Sequence, residues 1–378
     1  MSSSLKTRFL RFLDKTKSRG VVWGLNRLYQ DILVPTTNLS ILINRIIFLP
    51  INIKILLFPR VSRNYYFIWD LRVAPITFDF LWGIAIAKCN LKKLKLNKLH
   101  VIIVFDKDEI RQEEEDYENS VDLSMRYWRI NNLILSICSM VKNIDFSILT
   151  KYEANKIIKN KKRLPENYYI NFPTYIQNKD YKILHDNKYD LNIIDVNKAS
   201  VKYCKKWLAK RHNNSNKLIT ISVRDYKFLK FRNSKLSEWK KIYLKLKSLK
   251  FNVIIIPDSE GISDLEKYFC SDDIFSESKY NNQLRLGIYK ISLVNLFVNG
   301  GMSTPCLFSE IPYMIFNLIP SQKKEWTARL LTERSFKVGE RPAFLKENQY
   351  WVWDDDNYEV IKKSLNIFFK SNKILSKL

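Results

Sequence analysis

Apolar runs of strand length recur along this chain with helix-like segments between them, and that alternation constrains the fold more than any other feature. YYFIWDLRV and LHVIIVFD flank PITFDFLWGIAIAKCNL, where Pro75 and Thr77 mark a helix start. A helix through MRYWRINNLILSICSMV follows, then the strand-like DFSILT and YYINFPTY. Later, KLITISVRD, FNVIIIPDSE, LVNLFVN and PYMIFNL alternate with SEWKKIYLKLKSLK, SDLEKYF, NQLRLGIYKI and a helix from Thr304. Strands that are apolar throughout need cover on both faces, so the pattern predicts parallel sheets clothed by helices. DDDNYEVIKKSLNIFFKSNKIL closes the chain as a capped helix.

A chain of 378 residues suits two such domains. VNKASVKYCKKWLAKRHNNSN reads as a helix running into an Asn-rich link at 211–217, and the boundary is placed there. The expected organisation is α/β: two Rossmann-like doubly wound domains facing a cleft, at 61–210 and 211–378, preceded by a basic amphipathic segment at 1–60. That segment carries ten Lys and Arg against two Asp and Glu, with Leu5, Phe9 and Phe12 at helical spacing. Residues 39–59 approach the length of a membrane span, but Asn44, Arg45, Pro50, Asn52 and Lys54 interrupt them. Two readings fit: a segment lying on an anionic bilayer, or a pair of helices packed on the rest of the protein.

The net charge of +26 favours anionic partners. No RNA-binding aromatic signature, zinc finger or helix-turn-helix accompanies it, so nucleic acid is not the expected partner. Much of the lysine excess sits amid Asn and Ile, a bias that an AT-rich genome also produces. Five scattered cysteines argue against a disulfide framework or zinc and suit a reducing cytosol. His100, His185 and His212 stand at no metal-binding spacing, which removes histidine-rich metal chemistry and a Ser-His-Asp triad.

Ligands of a doubly wound sheet bind beyond the carboxyl ends of its strands. After LVNLFVN come Gly300, Gly301, Met302, Ser303, Thr304 and Pro305, in a chain with only eight glycines. The expectation is a tight turn into a helix, with Ser303 or Thr304 as N-cap and Pro305 at the first helical position. Such a turn suits either a phosphate at the helix N-terminus or a capped turn without a ligand. Arg224 and Asp225 leave the strand ITISV, with Arg232 and Asn233 in the following loop, so Arg224 is placed to clamp a diphosphate or to pair with a carboxylate. Asp258 and Glu260 end the next strand. Glu310 is expected on the helix after the double glycine, within reach of a ribose hydroxyl or simply solvated.

The tandem α/β pattern, the SVRD strand and NGGMSTPCLFSEIPYMIF together resemble the nucleotide-sugar half of GT-B-fold glycosyltransferases, including those of bacterial surface-polysaccharide clusters. The resemblance spans roughly residues 65–370 and is mainly architectural; its sharpest part is the GGMSTP turn, similar to the family's donor-phosphate loop. It implies a nucleotide-sugar donor on the C-terminal domain and a glycan or lipid-linked acceptor on the N-terminal domain. It also implies transfer in the cleft without an obligatory metal; no cofactor is expected, and the expected location is the cytoplasm, with the 1–60 segment a candidate contact to the inner face of the cytoplasmic membrane. The Glu-x7-Glu pattern of many retaining members is not apparent. An inverting enzyme needs a base from the N-terminal domain, for which Asp70, Asp79 and Asp106 are the candidates. Asp106-Lys107-Asp108 also resembles the DxD metal site of GT-A enzymes, which is the alternative; a non-catalytic basic membrane or nucleic-acid-binding protein is the third reading.

Overall fold

The computed structural model describes the chain except residues 1–4, 34–41, 44, 51–52, 54–63, 114, 187–188, 214–216, 260, 262–263 and 375–378. Asn44, Asn52, Lys54, Glu260, much of the 39–59 stretch and the centre of the Asn-rich link therefore lie outside the described residues. The expected class is the one observed: two α/β units, each built on a β-sheet. One comprises Met1–Ala74, His100–Ile110 and Ser147–Gln177; the other comprises Pro75–Leu99, Arg111–Phe146 and Asn178–Leu378.

The first unit carries helices α1 (Leu5–Arg19) and α2 (Val21–Leu33). Its sheet contains β1 (Asn64–Asp70), β2 (Lys98–Val104), β3 (Ile144–Leu149) and β4 (Arg163–Leu164), in the order β3-β2-β1-β4. β4 runs parallel to β1, with Tyr66 opposite Arg163. Ile68, Ile102, Val104, Ile158 and Tyr168 form a buried cluster over this sheet. The helix Lys151–Ile158 starts with a capping box, Thr150 and Glu153 each bonding the other's backbone N–H. YYINFPTY is not the strand its sequence predicts. It holds only an isolated bridge between Tyr169 and Phe172, and Pro173 supplies no N–H for a ladder. Its aromatic rings serve packing instead, which alternation of apolar residues cannot distinguish from a strand.

The second unit is organised on a five-stranded, wholly parallel sheet: β5 (Leu218–Ser222), β6 (Asn252–Ile256), β7 (Val294–Val298), β8 (Tyr313–Phe316) and β9 (Gln349–Trp351). The strand order is β6-β5-β7-β8-β9, with Ile221 opposite both Ile255 and Leu296. Every residue of β5 to β8 is buried, as continuous apolar runs demand. Helices Leu236–Ser248 and Tyr358–Ser371 supply Trp239, Leu246, Ile361 and Phe368 to the core on that sheet. Helix Lys198–Arg211 packs on helix Asn282–Ile291, where Gly287 lets them approach: a Cβ there would lie 2.9 Å from the Ser200 carbonyl carbon. SDLEKYF forms only a 3₁₀ turn, Leu265–Lys267, rather than the helix its pattern predicts. The helix through residues 123–140 opens into a π-helical stretch, Ile130–Leu135.

Candidate functional site

In the order β6-β5-β7, successive connections depart to opposite sides between β5 and β7, so a crevice opens beyond their carboxyl ends. A cavity of about 480 Å3 lies there, and all of its walls belong to the second unit. Arg224 leaves β5 and Gly300 leaves β7 into this cavity. The Arg224 guanidinium donates from Nη2 to the Phe228 carbonyl at 2.8 Å, and from Nη1 to Leu229 O at 3.2 Å and to Asn233 Oδ1. Those bonds hold a loop in which Leu229 sits at φ 54°, a left-handed conformation that costs a non-glycine residue about 1–3 kcal/mol. Arg232, on the same loop, donates from Nε to Asn299 O at 3.1 Å and from Nη2 to Asn299 Oδ1 at 3.0 Å. Neither guanidinium has a carboxylate among these hydrogen-bond partners. Burial pushes the pKa of both down; the adjacent Arg224 adds to the effect on Arg232, which falls to about 10.

The double-glycine turn has a different basis from the one its sequence suggests. Neither glycine adopts a positive φ, and Gly300 is extended at φ −163°. Gly301 is constrained by proximity: a Cβ on it would fall 2.5 Å from the Phe78 ring and 3.2 Å from Phe78 Cβ. At Gly300 the nearest atom to a Cβ would be Arg224 Cδ at 3.5 Å, an ordinary contact. Ser303 precedes the helix and Pro305 lies in its first turn, as expected, but the Ser303 hydroxyl donates to Gly300 O at 2.9 Å instead of receiving an N–H. The helix Thr304–Leu307 is one turn long, too few aligned peptides for a dipole of consequence. Ser303 and Thr304 are buried in the cavity wall, so positive charge here comes from the arginines.

Three further arginines line the same cavity. Arg129 donates to the hydroxyls of Tyr117 and Tyr226, at 2.7 and 2.8 Å. Arg285 is 2% exposed, donates to Pro257 O, and keeps a buried Nε with no hydrogen-bond partner. Arg334 lies over the Tyr181 ring and 3.8 Å from Asp79 Oδ1. Asp79 begins the helix Asp79–Lys93, accepts from Thr77 Oγ1 at 2.9 Å, and lines the cavity together with Asp258. Trp82, Phe336 and Trp351 also line the cavity, Trp82 meeting Phe336 edge to face and Phe336 packing on Trp351. Asn299, Arg129, Arg285 and Arg334 were not apparent in the sequence. Asn299 directly precedes the glycines, a position the turn itself marks, whereas the three arginines carry no local signal.

The other sequence candidates lie elsewhere. Asp225 is buried and outside the cavity lining. Glu310 is not on the expected helix, which stops at Leu307; its carboxylate is 3.5 Å from Lys346 Nζ, in a separate surface groove. Asp70, in the first unit, is fully buried and accepts from Arg72 Nε at 3.0 Å, Arg72 Nη2 at 2.6 Å and the Tyr168 hydroxyl at 2.6 Å. Burial and the adjacent Asp70 push the Tyr168 hydroxyl pKa up. Asp106 Oδ2 accepts from the Lys151 N–H at the start of helix Lys151–Ile158, and Asp108 is exposed. Among the described residues no group of three or more His, Cys, Asp or Glu is placed to hold a metal ion.

No protein-family model and no curated protein matches the chain. Solved structures similar to it include a glycosyl transferase family 9 protein from Veillonella parvula, at 9% identity over 81% of this chain and 97% of that one, with a TM-score of 0.44. ADP-heptose LPS heptosyltransferase II of E. coli aligns at 6% identity over 82% and 99%, with a TM-score of 0.45. The iron-containing dodecameric glycosyltransferase TibC of enterotoxigenic E. coli aligns at 12% identity over 82% and 75%, with a TM-score of 0.37.

Proposed function

We propose that this protein is a glycosyltransferase, moving a sugar from a nucleoside-diphosphate donor to a hydroxyl of a glycan or lipid-linked acceptor in surface-polysaccharide synthesis. One observation carries the reading: Arg224 and Arg232 meet at the topological switch point with carbonyl and amide oxygens, not carboxylates, as their hydrogen-bond partners. A guanidinium has five N–H donors, so Arg232 keeps three for a ligand after its two bonds to Asn299. A diphosphate supplies further acceptor oxygens and adds negative charge to that of Asp258 and Asp225 near Arg224 and of Asp79 near Arg232. Arg285 Nε and Thr327 Oγ1, both buried at the cavity wall without a partner, add two more polar atoms for a bound ligand to satisfy.

In this reading the bond from the anomeric carbon to the β-phosphate oxygen breaks, and charge develops on the departing diphosphate. Arg232 and Arg224, already holding the donor diphosphate, stabilise the additional charge that develops as the bond breaks. Asp79 takes the proton of the acceptor hydroxyl as it attacks. The arginines meet the leaving-group charge themselves, so activity in this reading persists in EDTA.

Titration calorimetry with UDP, ADP, GDP and CDP tests this. At least one binds the wild type, and Arg232→Met weakens it about 10- to 100-fold, the value of one or two charge-assisted hydrogen bonds. Asp79→Asn retains that binding and loses about 10²- to 10⁴-fold in transfer from the matching nucleotide sugar. No binding of any nucleotide to the wild type ends the reading.

A further inference from the structure

Two neighbouring elements of the first unit turn apolar faces to solvent. α2 meets its surroundings on one side: Trp23 stacks on Phe12 at 6.4 Å, and Gly24 lies so close to α1 that a Cβ would fall 2.6 Å from Thr16 Cγ2. On the other side Val21, Val22, Leu25 and Leu28 are 47–73% exposed. At about 100° per residue, these four and Tyr29 span an arc of roughly 120°, the width of stripe that a globular helix ordinarily buries. The second element is the helical stretch at 45–50. Phe48 is buried and stacks on Tyr169 at 4.9 Å, while Ile46, Ile47 and Leu49 on either side of it are exposed. Both elements hang from one loop, because the rings of Tyr29 and Phe48 each lie about 6 Å from Phe172. The Tyr29 hydroxyl fixes the arrangement by donating to Asn171 O at 2.9 Å.

We infer that this double apolar face is a docking surface for an anionic lipid bilayer, on which α2 and the 45–50 helix lie in the plane of the interface. The charge beside it selects that occupant. Lys15, Lys17, Arg19, Arg27 and Arg45 are exposed in the same segment, Arg27 on the polar face of α2 away from the stripe, and residues 1–60 hold ten Lys and Arg against two acidic residues. A second copy of the chain would set this cationic segment against itself, whereas anionic headgroups neutralise it while the acyl boundary covers the apolar side chains. Among the described residues no helix is long and apolar enough to cross a membrane. The inference stands on the first unit alone and does not depend on the nucleotide reading of the cavity.

Vesicle co-sedimentation of the full chain tests it, using phosphatidylcholine alone and phosphatidylcholine mixed with phosphatidylglycerol. The wild type pellets with the mixed vesicles. Val22→Asp/Leu25→Asp weakens binding about tenfold or more, because it puts carboxylates where apolar side chains meet the acyl boundary, and Arg27→Glu/Arg45→Glu also weakens it. All four residues are exposed, so circular dichroism of the variants matches the wild type. If the first variant misfolds, Ile46→Asp/Ile47→Asp on the separate element gives the same test. Three results overturn the inference: a wild type that stays in the supernatant with mixed vesicles, apolar variants that bind as well as the wild type, or a wild-type dimer that Val22→Asp/Leu25→Asp dissociates without vesicle binding.

Discussion

Gly300 and Gly301 are neighbours under unequal constraint. Ala at position 300 meets only ordinary van der Waals contact, so Gly300→Ala should change stability by less than about 0.5 kcal/mol in urea unfolding. Ala at position 301 would press on Phe78 at both ring and Cβ, and neither can give way cheaply. Gly301→Ala is therefore expected to cost about 1–3 kcal/mol, the range for overpacking. Equal losses at the two positions would refute this distinction. The sequence displayed the pair, but not its reason, because Phe78 lies more than two hundred residues away along the chain. Arg224 shows a similar division: its place after β5 was legible, while its grip on the strained Leu229 loop depends on three acceptors that no spacing rule reveals.

Long elements were legible, and short or irregular ones were not. β5 to β8 announce themselves because every residue is buried and most are apolar, with Thr220, Ser222, Asn252 and Asn295 the polar exceptions. β4 has two residues and β9 three, too few to show a period; the π-helical stretch at 130–135 keeps a helical composition while its register shifts. Helix Lys324–Glu333 escaped as well, its one buried residue, Thr327, giving no apolar stripe. One helix carries a measurable liability. Lys88, on Asp79–Lys93, donates to the Lys142 carbonyl, and burial, then the charges of Lys92 and Lys142, push its pKa down to about 8 from 10.5. Below that value the ammonium is charged in folded and unfolded chains alike, and the folded state bears the full cost. As pH rises from about 8 toward 10.5 the unfolded chain holds the extra proton, so this site's contribution to stability improves. Lys88→Met should accordingly be more stable than the wild type at neutral pH, with the difference shrinking over that window. A difference in unfolding free energy that stays constant with pH would show that Lys88 is not the titrating group.

Over the whole molecule, the +26 charge and the arginines of the cavity are separable by salt. Exposed cations such as Lys202, Lys205, Lys206 and Lys210 attract any polyanion, and that attraction fades steeply as ions screen it. Partly buried guanidiniums at a built site are screened less. Affinity for a short single-stranded oligonucleotide should therefore fall much more steeply with added salt than affinity for the nucleoside diphosphate that binds. Parallel slopes would assign both ligands to the general field. The two units also have a consequence for how such a protein is made and inherited. The chain crosses between them at 74/75, 99/100, 110/111, 146/147 and 177/178, so neither is a contiguous cassette. On the ribosome the first unit stays incomplete until Gln177 has been synthesised, with pieces of the second already waiting. A gene fragment beginning at the Asn-rich link would inherit the five-stranded sheet and its double glycine but leave behind Phe78, Asp79 and Arg129. Recombination can exchange such a protein whole, or by single side chains, but not by halves.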